Sequence, residues 1–317
     1  MKKAIKRISA CAAFVLILAM LIVVSSYLFA PKGEQESFAM KNAAANAILD
    51  EEKNTIDVLF LGDSVAYFSV SPMQLWQEQG FTSYVCATSA QYLSFSEVLL
   101  KQAFQEQSPK VVVLEANAIY RTMNSDISTM TRLEGLFSVF KFHNRWKSIG
   151  KLIPFPLSSC SWTDDLKGYV YSTNIVQAVN DDYMAKTDTV LKIESSNENY
   201  VKAISDFCKE HDAELLLVNV PNAKNWCYEK HNGIQELADK YGITYIDLNL
   251  LNDELSIDWN SDTIDKGDHL NYNGAMKTTK YLGEYLKDRY LLPDHRNDDV
   301  YLNWSETLDR YLNTVEG

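Results

Sequence analysis

Cysteines are few in this sequence, and the common cofactor-binding motifs are missing from it. Among its 317 residues are five cysteines, and no two of them form a CxxC pair or another zinc-binding spacing. The Walker A, Gly-x-Gly-x-x-Gly and His-Glu-x-x-His patterns are also absent. Asp258, Asn260 and Asp262 match the first three positions of a calcium loop, but Thr263 replaces its required glycine and His269 its final glutamate. We therefore expect no metal ion and no cofactor.

Positive charge is also scarce once the N-terminus is set aside. The chain has 30 lysines and arginines against 42 aspartates and glutamates, and five of the basic residues lie within the first 32 positions. The rest of the chain therefore sets 25 basic residues against 42 acidic ones. A surface this acidic repels a phosphate backbone, which argues against nucleic acid as a partner.

The N-terminus combines a basic flank with a long apolar run. Four basic side chains lie within residues 1–7, and residues 8–30 carry no charge. A helix of roughly 20 residues crosses the hydrocarbon core of a bilayer, whereas the core of a cleaved signal peptide has only about 7–15. The basic flank should stay in the cytoplasm. We expect a single-pass anchor in the cell membrane with an extracytoplasmic domain; a long signal peptide cleaved near residues 26–30 is the alternative.

Short apolar runs alternate with helical patterns along most of the chain. This rhythm predicts a mostly parallel five-stranded sheet covered by helices on both faces, a three-layer α/β/α fold of the flavodoxin-like kind. The predicted strands are Ile56–Leu61, Tyr84–Cys86, Lys110–Leu114, Glu214–Val220 and Ile243–Asp247. The predicted helices are Ser94–Gln107, Tyr200–His211, Tyr228–Tyr241 and Asn273–Tyr290.

The same patterns divide the chain into segments. Residues 117–194 interrupt the rhythm and are too long for a plain connection, so we expect an inserted subdomain or lid there. The expected segments are an anchor at 1–32, a stem at 33–54, the α/β domain at 55–292 with that insertion, and a C-terminal tail at 293–317.

One serine and one histidine stand out. Ser64 follows the first predicted strand in Gly62-Asp63-Ser64, at the sheet edge where ligands bind in open α/β folds. His269 lies in a polar loop that follows the fifth strand and returns to that edge. A histidine there can meet the serine at hydrogen-bonding distance and activate it as a nucleophile.

Gly62-Asp63-Ser64 near the start of the domain and Asp265-Lys-Gly-Asp-His-Leu-Asn-Tyr-Asn-Gly274 near its end resemble the SGNH (GDSL-like) hydrolase superfamily. The chain is similar in particular to the exported branch that includes DltD-like and AlgX/AlgJ-like proteins, which handle acyl groups on cell-surface polymers. The resemblance covers about residues 57–290, with its specific motifs at the two ends. It implies that Ser64 is the nucleophile and His269 its base.

The resemblance also implies an oxyanion hole made by the N–H of the serine, a glycine after the second strand and an asparagine after the third. Asn117 fills the asparagine position, although the usual Gly-x-Asn-Asp block is missing. No glycine follows the second strand, so the backbone N–H of Ala87 or Ser89 is expected to take that part. Such donors stabilise the charge that develops in the transition state.

The acid of the expected triad departs from the family pattern. The family places an aspartate three residues before the histidine, where this chain has Lys266. Asp265 and Asp268 flank that position. We favour Asp265, because Gly267 gives the loop slack to fold back and the side chain directly before a histidine tends to point away from it. Asp268 is the alternative.

Three further residues are expected to contact substrate. Tyr67 lies beside the serine turn and Trp226 follows the fourth strand, and both offer aromatic faces for sugar stacking. Arg121 follows the third strand and suits an anionic group.

Together these features predict an extracytoplasmic acyl-ester hydrolase or O-acyltransferase that acts on a cell-envelope polysaccharide or polymer. The branch implies a membrane-bound O-acyltransferase as a partner if the reaction is transfer. A catalytically inactive protein that binds or scaffolds surface polymer is the alternative, because the glycine block is missing.

Overall fold

The computed structural model describes residues 2–29, 44–122, 129–130, 133–134, 136–137, 139–140, 164–178 and 182–316. The chain divides into two compact units. The first unit comprises Met1–Met40 and Ser125–Ser161, and the second comprises Lys41–Asn124 and Trp162–Gly317.

Helix α1, Lys2–Phe29, is the long element of the first unit. Its stretch Ile5–Phe29 has 25 residues, and the most apolar 18 consecutive residues within it have a mean hydropathy of 2.8 and are not buried. By length and composition this helix can cross a membrane, as the uncharged run predicts.

The second unit is built on a five-stranded sheet in the order β2-β1-β3-β4-β5, and every neighbouring pair is parallel. Three of the strands are buried along their whole length because helices cover both faces. This arrangement confirms the predicted fold. The strands are β1 Val58–Gly62, β2 Ser83–Ala87, β3 Val111–Glu115, β4 Glu214–Asn219 and β5 Thr244–Asp247.

Eight further helices belong to the described part of this unit. They are α2 Ser64–Ser69, α3 Pro72–Gln79, α4 Leu93–Ala103, α5 Ser195–Glu210, α6 Tyr228–Tyr241, α7 Asn252–Leu255, α8 Tyr272–Tyr290 and α9 Leu302–Glu316. Helices α2, α3 and α8 pack together in one layer, whereas α4 packs on α5 in the other. Helix α6 ends at Gly242, whose φ of 62° is a left-handed cap conformation that glycine adopts without strain.

The segment before β1 contributes to the second unit. Of the predicted stem, residues 33–43 lie outside the described residues. Residues 44–50 form a short helical stretch that places Ala47 and Ile48 in the core. The Tyr84 hydroxyl donates to the carbonyl of Ala44 at 2.7 Å, which ties this stretch to the edge strand β2.

The segment assigned to a C-terminal tail contains helix α9, which packs against α3. Trp304 is 1% exposed, its ring lies 5.6 Å from that of Trp76, and the Lys167 ammonium lies 4.9 Å from its centroid. Sequence reasoning missed this helix, although Trp304 and Tyr311 are seven residues apart and therefore lie on one helix face.

Replacing Trp304 by Ala should lower the free energy of unfolding by about 3–5 kcal/mol, because it removes a buried indole and leaves a cavity. Leu302→Ala is the matched control, since Leu302 lies in the same helix but is 60% exposed. Its effect should stay within about 0.5 kcal/mol. Thermal unfolding in detergent measures both. Equal effects would contradict a packed C-terminal helix.

Candidate active site

The sheet order places the candidate site at the carboxyl edge of β1. The chain leaves β1 toward β2 on one side and returns to β3 on the other, so the connections diverge between β1 and β3. In doubly wound sheets this divergence leaves a crevice in which ligands bind. Ser64 begins helix α2 directly after β1, at the mouth of that crevice.

The turn that carries Ser64 is held by buried contacts. Asp63 caps α2 by accepting the backbone N–H of Val65 at 3.0 Å, and its other oxygen accepts Arg121 at 2.6 Å. Gly62 allows β1 to approach β3 closely. A Cβ at this position would lie 2.7 Å from the Ala66 Cβ and 2.8 Å from the Glu115 Cβ, so only glycine fits.

The loop that carries His269 folds back through two left-handed residues. Lys266 has φ of 67° and Gly267 has φ of 89°. The Gly267 N–H donates to the Thr263 hydroxyl at 2.8 Å, which closes the turn. Asn271 then starts α8 by accepting the Gly274 N–H at 3.2 Å. His269 is thus fixed between a closed turn and a capped helix.

Ser64, His269 and Asp265 form a hydrogen-bonded relay. The Ser64 Oγ and His269 Nε2 atoms lie 2.8 Å apart, and His269 Nδ1 lies 2.6 Å from Asp265 Oδ2. The other Asp265 oxygen accepts the His269 backbone N–H at 2.8 Å. The carboxylate therefore accepts hydrogen bonds from both the ring and the backbone of the histidine. These bonds favour the tautomer in which an unprotonated Nε2 faces the serine.

Asp268 points away from the relay. Its oxygens accept the Lys224 ammonium at 3.2 Å and the Asn225 side-chain amide. The structure thus brings Asp265, and not Asp268, to the histidine. The catalytic role of either residue stays a prediction. Asp265, Asp268 and His269 could also offer ligand atoms within 4.8 Å of one another, but hydrogen bonds already engage all three.

A segment from the end of the predicted insertion lies along the histidine loop. We call residues 170–178 the strap. The N–H of Val170 donates to the carbonyl of Tyr67 at 2.8 Å, which joins the strap to α2. The Val176 N–H donates to the Thr263 carbonyl at 3.0 Å. The Val176 carbonyl accepts the Lys266 N–H at 2.9 Å. The strap therefore braces the serine turn and the histidine loop together. The remainder of the insertion at 123–163 lies largely outside the described residues.

The residues expected to form the oxyanion hole lie after neighbouring strands. Asn117 is the second residue of a short 3₁₀ turn, Ala116–Tyr120, and its backbone N–H donates to the Glu115 side chain at 3.1 Å. Ala87 pairs with Gly62 in the sheet register and is buried. Ser89 is exposed in the turn that follows β2, where Ala90 adopts φ of 53°. The oxyanion role of Ser64, Asn117, and Ala87 or Ser89 stays a prediction.

Tyr67 is the expected substrate residue that lies nearest the nucleophile. It lies three residues after Ser64 in α2, and such residues share a helix face. Burial raises the pKa of its hydroxyl, and side-chain hydrogen bonds to Ser89 and Ser64 partly offset this rise. The role of Tyr67 in substrate binding stays a prediction.

Arg121 and Trp226 are both engaged by carboxylates. Arg121 pairs with Asp63, whose side chain is 1% exposed, while its own side chain stays 34% exposed, and its role in binding an anionic group stays a prediction. Trp226 is 3% exposed and its indole N–H donates to Asp247 at 2.9 Å. This burial leaves little of the ring accessible, and the contact of Trp226 with substrate stays a prediction.

Sequence reasoning missed a buried polar floor beneath the site. Glu115 accepts the side-chain amide of Asn219 at 3.3 Å, and the Tyr245 hydroxyl donates to Asn219 at 3.0 Å. Asp247 accepts Trp226 and also lies 3.0 Å from His231 Nδ1. A signal was present, because strands β3, β4 and β5 each end in a polar residue after an apolar run.

Glu115 is the most perturbed carboxyl of this floor. Burial raises its pKa well above the ordinary value, and the charge of Asp63 raises it further. The hydrogen bonds from Asn117 and Asn219 lower the pKa only in part. Burial and the neighbouring carboxylate of Asp63 therefore both disfavour the ionised form of Glu115.

Comparisons with known proteins give matches among solved structures alone. No family model matches the chain, and no curated protein matches it. A protein from Streptococcus pneumonia named for platelet activating factor is 16% identical, with a TM-score of 0.41 over 86% of this chain and 99% of its own. A candidate acylhydrolase from Bacteroides fragilis NCTC 9343 is 13% identical, with a TM-score of 0.39 over 81% and 99%. A GDSL-like lipase from Bacteroides thetaiotaomicron VPI-5482 is 13% identical, with a TM-score of 0.39 over 80% and 100%.

Glu115→Gln should change how stability depends on pH. Folding raises the pKa of Glu115 above 4.5. The contribution of this carboxyl to the free energy of unfolding is therefore fully present below that pH and is lost as the pH rises toward the pKa of the folded state. Glutamine cannot ionise, so the variant should gain stability over wild type by up to about 1.4 kcal/mol per pH unit in that window. Thermal unfolding between about pH 5 and pH 8 measures the difference. Glu236→Gln, on an exposed position of α6, is the control. A difference that shrinks with pH would contradict the raised pKa.

Proposed function

We propose that this protein is a serine-dependent acyl-ester hydrolase or O-acyltransferase that works at the outer face of the cell membrane. The observation that carries the proposal is the Ser64–His269–Asp265 relay at the divergence between β1 and β3. Ser64 lies 205 positions before His269, yet both hydrogen bonds of the relay have the length that nucleophilic catalysis needs. The sequence motifs that resemble SGNH hydrolases supply Ser64 and His269, and Asp265 lies one position before the place where the family has its aspartate.

The proposed reaction proceeds through an acyl-enzyme. As the Ser64 oxygen attacks the ester carbonyl carbon, His269 Nε2 takes the serine proton and the carbonyl electron pair moves to oxygen. The imidazolium then gives that proton to the leaving alcohol, and the acyl group remains on Ser64. Water or a polymer hydroxyl then attacks the acyl carbon as Nε2 takes its proton, and when the bond between the acyl carbon and Ser64 Oγ breaks, the imidazolium returns that proton to Ser64. Asp265 stays ionised and accepts the Nδ1–H throughout.

Two features support oxyanion stabilisation in this reaction. The Ser64 N–H lies at the start of α2, and Asn117 follows the neighbouring strand β3, so both border the crevice. Tyr67 lies three residues after Ser64 on α2 and is a third polar residue that could face the reaction. Removing one donor of an oxyanion hole costs a factor of about 10²–10³ in rate, so such groups decide whether the relay is productive.

The proposed location and substrate follow from the N-terminal helix and the resemblance. An uncleaved α1 with its basic flank in the cytoplasm leaves the catalytic domain outside. Polymers of the cell envelope are then the accessible hydroxyl-bearing substrates, and a membrane-bound O-acyltransferase is the proposed donor of acyl groups if the reaction is transfer. An intact relay argues against the alternative of an inactive scaffolding protein.

Ser64→Ala should abolish labelling by a fluorophosphonate probe and turnover of a small chromogenic ester, because no nucleophile remains. Ser195→Ala removes an exposed hydroxyl at the start of α5 and should keep wild-type labelling. In-gel fluorescence reports the labelling. If the S64A protein is labelled as strongly as wild type, Ser64 is not the nucleophile. If the wild-type protein takes no label, the inactive scaffold is favoured.

Asp265→Asn should lower the acylation rate by a factor of up to about 10⁴, because the amide cannot stabilise the imidazolium or hold the required tautomer. Asp268→Asn should leave the rate nearly normal, since it alters only contacts with Asn225 and with Lys224, which is 50% exposed, and none with His269. Stopped-flow acylation of variants with equal melting temperatures separates the two. A crippled D268N beside a nearly normal D265N would reverse the order, and mild losses in both would indicate a serine–histidine dyad.

A further inference from the structure

Helix α2 carries an aromatic side chain against the histidine of the relay. Phe68 lies four positions after Ser64, so both side chains lie on one face of this helix. The centroids of the Phe68 ring and the His269 imidazole are 5.1 Å apart, and the ring planes are tilted by 58°. Tilted aromatic pairs at centroid distances of about 4.5–7 Å attract each other. Phe68 therefore packs directly on the proposed general base.

The hydrogen bonds of the relay do not hold the imidazole equally through the proposed reaction. The bond between Ser64 Oγ and His269 Nε2 ends when the serine oxygen joins the acyl carbon. Of the two bonds to the ring, only the one from Nδ1 to Asp265 then remains. The Asp265 side chain is 37% exposed, so water competes for its oxygens. A packing contact on the imidazole does not depend on this competition, so it can keep Nε2 aimed at the leaving alcohol.

Phe68 is itself held in place by its neighbour in the chain. The Tyr67 ring lies 4.8 Å from the Phe68 ring, with the planes tilted by 53°. Tyr67 in turn packs against the hydrophobic core, and its carbonyl accepts the N–H of Val170 in the strap at 2.8 Å. A side chain on an anchored backbone loses little further freedom when it packs on the histidine.

The Phe68 ring also limits the access of water to the relay. The ring is half-buried, and the His269 side chain beside it is 15% exposed. A ring packed on the imidazole excludes water from that side, and hydrogen bonds are stronger where water is excluded. Phe68 therefore strengthens the relay bonds and orients the imidazole through the same contact.

We propose that Phe68 is a positioning residue, whose packing on His269 keeps Nε2 directed first at the serine oxygen and then at the leaving alcohol. This inference rests on the proposed function, because it needs His269 to act as the base of Ser64. It assigns to Phe68 an effect on the rate of acylation and none on the affinity for the ester.

Phe68→Leu tests the proposal, because leucine keeps an apolar side chain at this position but removes the flat ring. In stopped-flow measurements with a small chromogenic ester, the maximal rate of acylation should fall by about 10-fold to 100-fold, since a small displacement of a reacting group lowers the rate steeply. The ester concentration that gives half of that rate should stay within about twofold of wild type. Phe68→Tyr keeps the ring and should restore the rate to within about threefold of wild type.

Phe207→Leu is the matched control, because it removes an aromatic ring from a different histidine. Phe207 in α5 stacks on His211 with the ring centroids 4.1 Å apart. Helix α5 lies in the opposite layer from α2, so this variant should keep the wild-type rate of acylation. Equal losses in F68L and F207L, or a wild-type rate in F68L, would overturn the proposal. A loss of ester affinity alone in F68L would also overturn it, because Phe68 would then be a substrate contact.

Proton NMR of the full chain in detergent reports the orientation of the imidazole directly. The Nδ1 proton that His269 donates to Asp265 exchanges slowly with water only while the ring is held, and it then gives a signal downfield of the amide protons. His269→Gln identifies this signal by removing it. The signal should broaden or vanish in F68L and persist in F68Y and F207L. A sharp, unshifted signal in F68L would overturn the proposal.

The NMR signal also separates this inference from the proposed function. If the wild-type protein takes no fluorophosphonate label and shows no acylation, the proposed function fails, whereas the signal still reports whether Phe68 holds the imidazole. If the wild-type protein is labelled and acylated normally and F68L keeps both the rate and the signal, the inference about Phe68 fails alone.

Discussion

The hydrogen bond between Ser64 Oγ and His269 Nε2 joins residues that lie 205 positions apart, and the architecture of the second unit makes it possible. In a parallel sheet all strands deliver their following loops to one edge. The serine turn leaves β1 at that edge, and the histidine loop returns to it after β5. The strap then fixes the distance between them, because its backbone bonds to Tyr67 at one end and to Thr263 at the other.

The histidine loop shows how an irregular spacing can still produce a relay. The acid lies four positions before His269, and the chain between them must turn back on itself. Lys266 and Gly267 achieve this with consecutive left-handed conformations, although a left-handed conformation costs a non-glycine residue such as Lys266 about 1–2 kcal/mol. The Lys266 N–H donates to the strap, and the Gly267 N–H to Thr263. These bonds offset the strain and hold Asp265 against the histidine.

Sequence patterns predicted the fold well because each strand is an apolar run bounded by turns. All five predicted strands are confirmed with ends within two residues, and α6 agrees at both ends. The relay residues were identifiable because Gly62-Asp63-Ser64 and the histidine loop are local motifs at opposite ends of the domain. The contacts between residues that are distant in sequence were not identifiable in this way. Nothing in the local sequence reveals that Asp63 pairs with Arg121 or that Asp247 accepts the indole of Trp226.

Glu115 shows why a chain retains a carboxyl that burial disfavours. A hydrophobic side chain at this position would remove the pKa penalty, but it would leave the N–H of Asn117 and the amide of Asn219 without their acceptor. Asn117 is the predicted oxyanion donor, so its backbone must be held in the turn that follows β3. The carboxyl supplies two acceptor oxygens at the one place where β3 meets the Gly62 turn. The buried carboxyl therefore holds Asn117 in place but lowers the folding stability at high pH. Such a loss of stability is more typical of functional sites than of residues that only pack.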